Sequence, residues 1–404
     1  MEIWTKIHCI MIVLIFLLCL SGCTNEKETA TGEDYAVSMA SSPDARQAVS
    51  GKDYSSIQNE VDSVCEKYGA MGAQVAVVDD GEIVGTYVYG WATDETDPMT
   101  AEHKIRVASI SKVVVGMATM LLQQEGIVDI DEDIGTYWNT TARNPSYPYT
   151  PVTIRSILTH TSSITAYDDD STDYYTILDR LSYGYYDAEP GDIYGYYYNN
   201  YAFRVLGATL ELAANQRLDD ILDEKIFSAT GIDASFASGD IDNTDLLVTL
   251  YTQYGEVARS VEMQKELHLS GVPGEKADYF AGGLTASASD LAKLVVLMVS
   301  DGVYEGQRLL DEASVAEMEE YMPMSLYDGS YQAKPLFYAE NLYGRSGVYF
   351  HTGSAYGVYS CFSYDGETKD GIVVLTTGAD GTSGQYDIYS ICDEINSKIY
   401  ELIA

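Results

Sequence analysis

In Ser109-Ile110-Ser111-Lys112 a hydroxyl stands three residues ahead of an amine. Residues three apart share one face of a helix, so Ser109 and Lys112 can meet, whereas Ser111 points elsewhere. The preceding run with Ile105, Val107 and Ala108 reads as extended, which sets Ser109 near a helix N-terminus. Free backbone N–H groups there stabilise a developing anion. A serine hydroxyl becomes a nucleophile when a base takes its proton, and a lysine can be that base when burial keeps its amine neutral. Val113, Val114 and Val115 supply apolar surroundings. The plainer alternative makes Ser109 a helix cap and Lys112 a surface cation. Ser-x-x-Lys arises by chance about once in a chain of this length, so the motif needs company.

Two further segments supply it. Tyr198-Asn199-Asn200 opens a helical pattern that ends in Leu206-Gly207, and 351-HTGSAYG-357 is a small-residue run leading into a strand. Ser-x-x-Lys, Tyr-x-Asn and His-Thr-Gly, in this order, resemble the serine beta-lactamase and penicillin-binding protein superfamily. The stretches 153-TIRSILTHTSSI-164 and 281-AGGLTASASDLAKL-294 are similar to its class C and DD-peptidase branch, and the resemblance runs over about residues 55 to 400. It implies that Ser109 is the acylated nucleophile, that Lys112 helps deprotonate it, and that Tyr198 shuttles the proton to the leaving group, aided by cations that favour its phenolate. Asn200 would bind the substrate amide. His351 and Thr352 would face a carboxylate or polar tail, and Gly353 would leave room for the substrate backbone. The N–H groups of Ser109 and Ser354 would form the oxyanion hole. No metal or cofactor is implied.

The chain departs from that pattern in places. Asn199 stands where the family has Ser or Ala, and Pro190-Gly191 lies two residues farther from Tyr198 than usual. Tyr197-Tyr198-Asn199 is a competing frame; the seven-residue step from Asn200 to Gly207 favours Tyr198 and Asn200. Ser163 replaces a turn glycine. His351 stands where beta-lactamases of this branch carry Lys, a substitution more typical of DD-carboxypeptidases and related peptidases or esterases. His160, in the LTHTS stretch, is expected to be structural; His103 and His268 match no motif and are expected at the surface.

Elements must bring these motifs together. Ile57, Val61, Val64 and Tyr68 have helical spacing, and 73-AQVAVVDDGEIVGTYVYGW-91 reads as a hairpin turning at Asp79-Asp80-Gly81. Helical patterns fill 109–125, 153–160, 198–213 and 217–226. Strands return at 347–351, 355–363 and 371–377, before a final helix at about 386–402. The expected fold is α/β of the α+β kind: an antiparallel sheet built from both ends of the chain and flanked by helices, with a helical subdomain inserted in the middle. Between Tyr167 and Tyr201 lie eleven of the 35 tyrosines, interleaved with aspartates; they either line a cleft or pack on one another.

The 404 residues carry 23 Lys+Arg against 62 Asp+Glu, a net charge of -39 that argues against nucleic acid as a partner. Lys6 precedes an apolar run from Ile10 to Leu20 that is short for a membrane span. It ends in Leu20-Ser21-Gly22-Cys23, which resembles a bacterial lipoprotein signal; an uncleaved anchor is the alternative. Expected are a signal at 1–22, lipidation of Cys23, a flexible tether at 23–52 and a hydrolase domain at 53–404, held at the extracytoplasmic face of the bacterial membrane. Cys65, Cys361 and Cys392 read as buried thiols; a Cys65–Cys392 disulfide requires the terminal helices to touch. No G-x-S-x-G elbow, H-E-x-x-H or phosphate loop offers another chemistry. The functional expectation is a serine hydrolase acting on D-amino-acid peptides such as peptidoglycan stems, with an esterase as alternative and a non-catalytic cell-wall or lactam sensor as the alternative from another class.

Overall fold

Gly72–Asp79 is buried at every residue, which explains why AQVAVVD is apolar on both faces rather than alternately. The computed structural model describes residues 52–167 and 171–404; the signal, Cys23, the tether up to residue 51 and Asp168, Asp169 and Asp170 lie outside the described residues. In chain order, α1 (Ile57–Lys67) leads into β1 (Gly72–Asp79) and β2 (Glu82–Gly90), then β3 (Ile105–Arg106) and α2 (Ser111–Gln124). After further short helices come α3 (Asn200–Ala214), the small hairpin β4 (Leu250–Tyr251) and β5 (Val257–Arg259), β6 (Thr285–Ala286) and α4 (Ala288–Val299). The chain ends with β7 (Tyr331–Gln332), β8 (Phe337–Glu340), β9 (Gly347–Ala355), β10 (Val358–Asp365), β11 (Asp370–Thr377) and α5 (Ser390–Leu402).

The main sheet has seven strands in the order β2-β1-β11-β10-β9-β8-β7. Every pairing in it is antiparallel, and β1 lies against β11 from Gly72 opposite Thr377 to Val78 opposite Gly371. Both ends of the chain therefore build one sheet, with the helical insertion between them, as expected. The β1–β2 turn uses Asp80 at φ 51° and Gly81 at φ 78°, the two left-handed positions that a two-residue hairpin requires.

Each face of the sheet has its own core. Val61 and Cys65 of α1 and Ile395 and Ile399 of α5 pack with Val75, Cys361 and Val374 on one side. Leu291 and Val295 of α4, the all-round buried α2, and Ala76, Phe362 and Leu375 form the other. The helix α2 is buried from Ser111 through Leu122, so a lysine at its second position has no solvent to reach.

Several expectations change. His351 to Ala355 is not a lead-in: the strand is continuous from Gly347 to Ala355, so the motif sits mid-strand. The final helix begins at Ser390 rather than near 386, because Tyr386 at φ 59° and Asp387 at φ 52° leave the helical region. His103 is buried, accepting the Thr100 N–H at 3.0 Å on Nδ1, whereas His268 is at the surface beside Asp240. Ser163 adopts φ 57°, the conformation of the glycine it replaces, and its Oγ accepts from Asn144 at 3.0 Å. Helices α1 and α5 do pack together, yet Cys65, Cys361 and Cys392 are free and buried, and burial raises the Cys65 and Cys361 thiols to about 12.

Candidate active site

Ser109 lies on a single 3-10 turn, Ala108–Ile110, immediately before α2. Ala108 ahead of it is held at φ 51°, a left-handed conformation that costs a residue with a Cβ about 1–2 kcal/mol. Ser111 holds that turn: its Oγ donates to the Ala108 carbonyl at 2.6 Å and accepts the Leu284 N–H at 3.0 Å. Ser111 is thus the structural serine of the pair. Lys112, fully buried, sets Nζ 3.0 Å from Ser109 Oγ, 2.8 Å from Asn200 Oδ1 and 2.6 Å from the Ala281 carbonyl. A neutral amine can serve the two carbonyl oxygens with its N–H bonds and turn its lone pair toward Oγ, the geometry of a base beside a nucleophile.

Tyr198 arrives on the segment just before α3. Asn199 caps that helix, its Oδ1 accepting the Ala202 N–H at 3.0 Å while its Nδ2 donates to the Ile164 carbonyl at 2.6 Å. This double duty accounts for an amide where the family has Ser or Ala. His160 grips the same segment: its Nδ1 accepts the Asn199 N–H at 3.1 Å and its carbonyl accepts the Tyr197 N–H at 2.9 Å. The imidazole also packs 4.4 Å from the Tyr198 ring, a structural part. The structure therefore brings Tyr198 and Asn200 to Ser109 and Lys112, and leaves Tyr197 exposed.

The phenol of Tyr198 hydrogen-bonds Ser109, but burial raises it above its ordinary value and outweighs that bond. The Lys112 Nζ is 5.0 Å from the ring centroid. This corrects the expectation of a phenolate favoured by nearby cations: Tyr198 is a neutral phenol, fitted to pass a proton on rather than to hold a charge.

On β9 the ring of His351 lies 6.4 Å from that of Tyr198. Its Nδ1 is 2.7 Å from the Thr352 carbonyl and must donate to it, which leaves Nε2 as a buried acceptor with no hydrogen-bond partner among the described residues. Burial above all pushes the imidazole down to about 3. At neutral pH His351 therefore presents a lone pair, suited to a hydroxyl or N–H, and offers a substrate carboxylate neither charge nor donor. Thr352 pairs with Cys361, whose side chain belongs to the opposite core, so strand alternation sends it to the other face from His351. A Cβ on Gly353 would sit 2.6 Å from the Val107 carbonyl and 3.0 Å from the Ser109 nitrogen. The room that this glycine leaves is filled by the nucleophile's own turn, not by substrate. The β8–β9 pairing stops at Phe337 opposite Phe350, so β9 is no longer covered past that point, and exposed Ser354 follows on the open edge.

Other features divide the tyrosine-rich segment. Tyr186, Tyr194, Tyr196 and Tyr197 line a cavity of about 460 Å³ beside Tyr198, whereas Tyr174 stacks on Trp138 and Tyr167 packs on Tyr201. Both readings of the segment hold, each for part of it. A larger cavity of about 1020 Å³, between the β1–β2 hairpin and α4, contains none of the motif residues. Sequence reasoning missed the Ala281 carbonyl as a Lys112 partner, although the AGGL signal pointed to that loop. Among the described residues no group of His, Cys, Asp or Glu could hold a metal, and no helix is long and apolar enough to cross a membrane.

The chain is similar to known proteins in sequence and in fold. The family model described as Beta-lactamase matches residues 56–393. Penicillin-binding protein 4* of Bacillus subtilis is 24% identical over 192 residues, 44% of this chain and 40% of that protein, so the alignment spans less than half of that relative. D-alanyl-D-alanine-carboxypeptidase/endopeptidase AmpH of Escherichia coli is 21% identical over 376 residues, 89% of this chain and 92% of that protein. Among solved structures, a class C beta lactamase from Rhodobacter sphaeroides superposes with a TM-score of 0.66 at 19% identity, covering 86% of this chain and 98% of the other.

Proposed function

The chain belongs to the beta-lactamase family, and within it we propose an extracytoplasmic, lipid-anchored serine hydrolase that works through an acyl-enzyme on D-amino-acid peptides such as peptidoglycan stems. The observation that carries this reading is the buried Lys112 amine 3.0 Å from Ser109 Oγ. In the proposed cycle the neutral amine takes the Ser109 proton as Oγ attacks the substrate carbonyl. Backbone N–H groups of Ser109 and Ser354 receive the oxyanion. Tyr198 gives its phenolic proton to the leaving nitrogen and recovers one from Lys112, remaining neutral at rest. Water then repeats the attack on the ester, with the same groups moving its proton. Asn200, whose Oδ1 is engaged by Lys112, binds the substrate amide through its Nδ2.

The buried, neutral His351 supports a second reading, an esterase or internal-amide hydrolase, because it lacks the charge that a C-terminal carboxylate calls for. The E. coli relative's name joins carboxypeptidase to endopeptidase, and both bonds suit one acyl-enzyme. Intact mass spectrometry after exposure to a penicillin or an active-site phosphonate tests the core of the reading: wild type gains one adduct and Ser109→Ala none. Equal labelling of both overturns the mechanism. Rates on D-Ala-D-Ala peptides, internal D-amide peptides and short esters then rank the substrates, and release of product from none of them despite acylation of Ser109 indicates a sensor. Lipidation of Cys23 predicts that the full chain partitions with membranes and that Cys23→Ser releases it.

A further inference from the structure

In a chain with 62 acidic and 23 basic residues, a cation near the surface readily meets a carboxylate. Arg106 and Arg259 do not. Arg106 donates Nε to the Gly282 carbonyl at 2.7 Å, and Arg259 donates one terminal N–H to the Ala258 carbonyl at 2.9 Å. Among the described residues neither forms an ion pair; instead both guanidinium carbons lie over the Tyr356 ring, 5.1 and 3.8 Å from its centroid. Like charges gathered on one ring repel, and burial together with the neighbouring Arg259 and Arg204 holds Arg106 below its ordinary value. Such an arrangement is completed by an anion.

Its place relative to Ser109 is fixed by three contacts. Arg106 precedes Ser109 by three residues, and the Gly282 to which it donates packs on Ala108, a Cβ there falling 3.6 Å from the Ala108 carbonyl carbon. Tyr356 follows β9, two residues past Ser354, in a turn with φ 54° at Tyr356 and 79° at Gly357. Gly357 presses so closely on the Tyr251 carbonyl that a Cβ would fall 1.9 Å from it, which docks the β4–β5 hairpin, and Arg259 with it, against that turn. At about 3.3 Å per strand residue, Tyr356 lies roughly 7 Å beyond Ser354, whereas His351 lies roughly 10 Å the other way. Tyr198, the proton donor to the leaving group, packs toward His351. The leaving group therefore occupies the His351 end and the acyl portion runs toward Tyr356.

We propose that Arg106 and Arg259, gathered on Tyr356, form a subsite for a carboxylate carried by the acyl portion of the substrate. The preferred acyl group is then anionic, such as a dicarboxylic chain or a peptide with an acidic side chain just before the scissile bond. Guanidinium forks match a carboxylate in two parallel hydrogen bonds, and a ring beneath them leaves their N–H edges facing outward. The same charges disfavour a free ammonium on the acyl side. The inference rests on Ser109 being the acylated residue.

Three 4-nitrophenyl esters of matched chain length test it: the adipate monoester, the hexanoate and the 6-aminohexanoate. Wild type should show kcat/KM in the order anion, neutral, cation, with about a tenfold gap between the first two that shrinks with added salt. Arg259→Gln should reduce the anion-to-neutral ratio about tenfold and Arg259→Lys should retain part of it. A wild type without the preference, or an Arg259→Gln ratio that does not move, overturns the proposal. Thermal melting of Ser109→Ala with monomethyl adipate or methyl hexanoate separates the subsite from catalysis: stabilisation by the adipate alone, lost when Arg259→Gln is added, supports it even if Ser109 proves not to be the nucleophile. Equal shifts from both esters overturn it.

Discussion

The Nζ of Lys112 lies 2.8 Å from the Oδ1 of Asn200, so the buried amine is oriented by a neutral amide oxygen. Together with the Ala281 carbonyl at 2.6 Å, this fixes the position of the nitrogen without placing a negative charge on it. The distinction matters for a base. A carboxylate at the same place would favour the ammonium and hold the proton on Lys112, whereas an amide orients it and leaves the proton free to come from Ser109.

Asn200→Asp is therefore expected to harm the base more than the binding. A carboxylate at 2.8 Å from Nζ should move the acid limb of the acylation pH profile upward by about one unit or more and slow acylation at pH 7 at least tenfold. Single-turnover acylation measured from pH 6 to 10 gives the profile. An unchanged profile with only KM raised would show that Asn200 acts on substrate alone.

Tyr198→Phe is expected to lower kcat/KM by about 10²–10⁴ at every pH between 6 and 9, with the shape of the profile preserved. The reason is that burial keeps the wild-type phenol protonated over this range, so no limb of the profile belongs to it. A wild-type alkaline rise that vanishes in the variant would show that the tyrosine titrates during catalysis.

The parts of this site that were legible in the sequence are those whose chemistry dictates residue type. Ser109, Lys112 and Tyr198 announce themselves by order and spacing, and 73-AQVAVVD-79 announces a central strand by its unbroken apolar run. What the sequence hides is burial. The continuous strand β9 looks interrupted at His351 to Ser354, because the residues there are small or polar and Gly353 meets the backbone of Val107 to Ser109 instead of an apolar core. The strands β7 and β8, two and four residues long, are too short to show a period. His103 and the neutral state of Tyr198 were misjudged for the same reason: a lone polar residue carries no mark of the walls that will surround it.

His351 should make the protein acid-sensitive. Its imidazole is held down to about 3 in the folded chain, against an ordinary value near 6.5, so the unfolded state takes up the proton first as pH falls. The stability it contributes is complete above pH 6.5 and is lost progressively toward pH 3, on the order of 5 kcal/mol in all. His160, lowered by burial, acts in the same direction. Melting temperature followed from pH 7 to pH 4 should fall more steeply in wild type than in His351→Asn. Parallel curves would mean that the imidazole is not held neutral.

Gly353→Ala tests how tightly the strand and the nucleophile's turn are pressed together. The added methyl would stand 2.4 Å from Ser360 Oγ, 2.6 Å from the Val107 carbonyl and 3.0 Å from the Ser109 nitrogen. Ser360 cannot simply swing away, because its Oγ donates to that same Val107 carbonyl at 2.9 Å. Two of the three obstacles are main chain, so relief comes by parting β9 from residues 107–109, which carries the Ser354 and Ser109 N–H groups out of register with each other. Overpacking of this kind costs about 1–3 kcal/mol, and displacing an oxyanion donor slows the reaction about 10²–10³-fold. The variant should thus remain folded, melt several degrees lower and be acylated by a phosphonate at least a hundredfold more slowly. Near-wild-type acylation with only a lowered melting point would show that the oxyanion is held elsewhere than between Ser109 and Ser354.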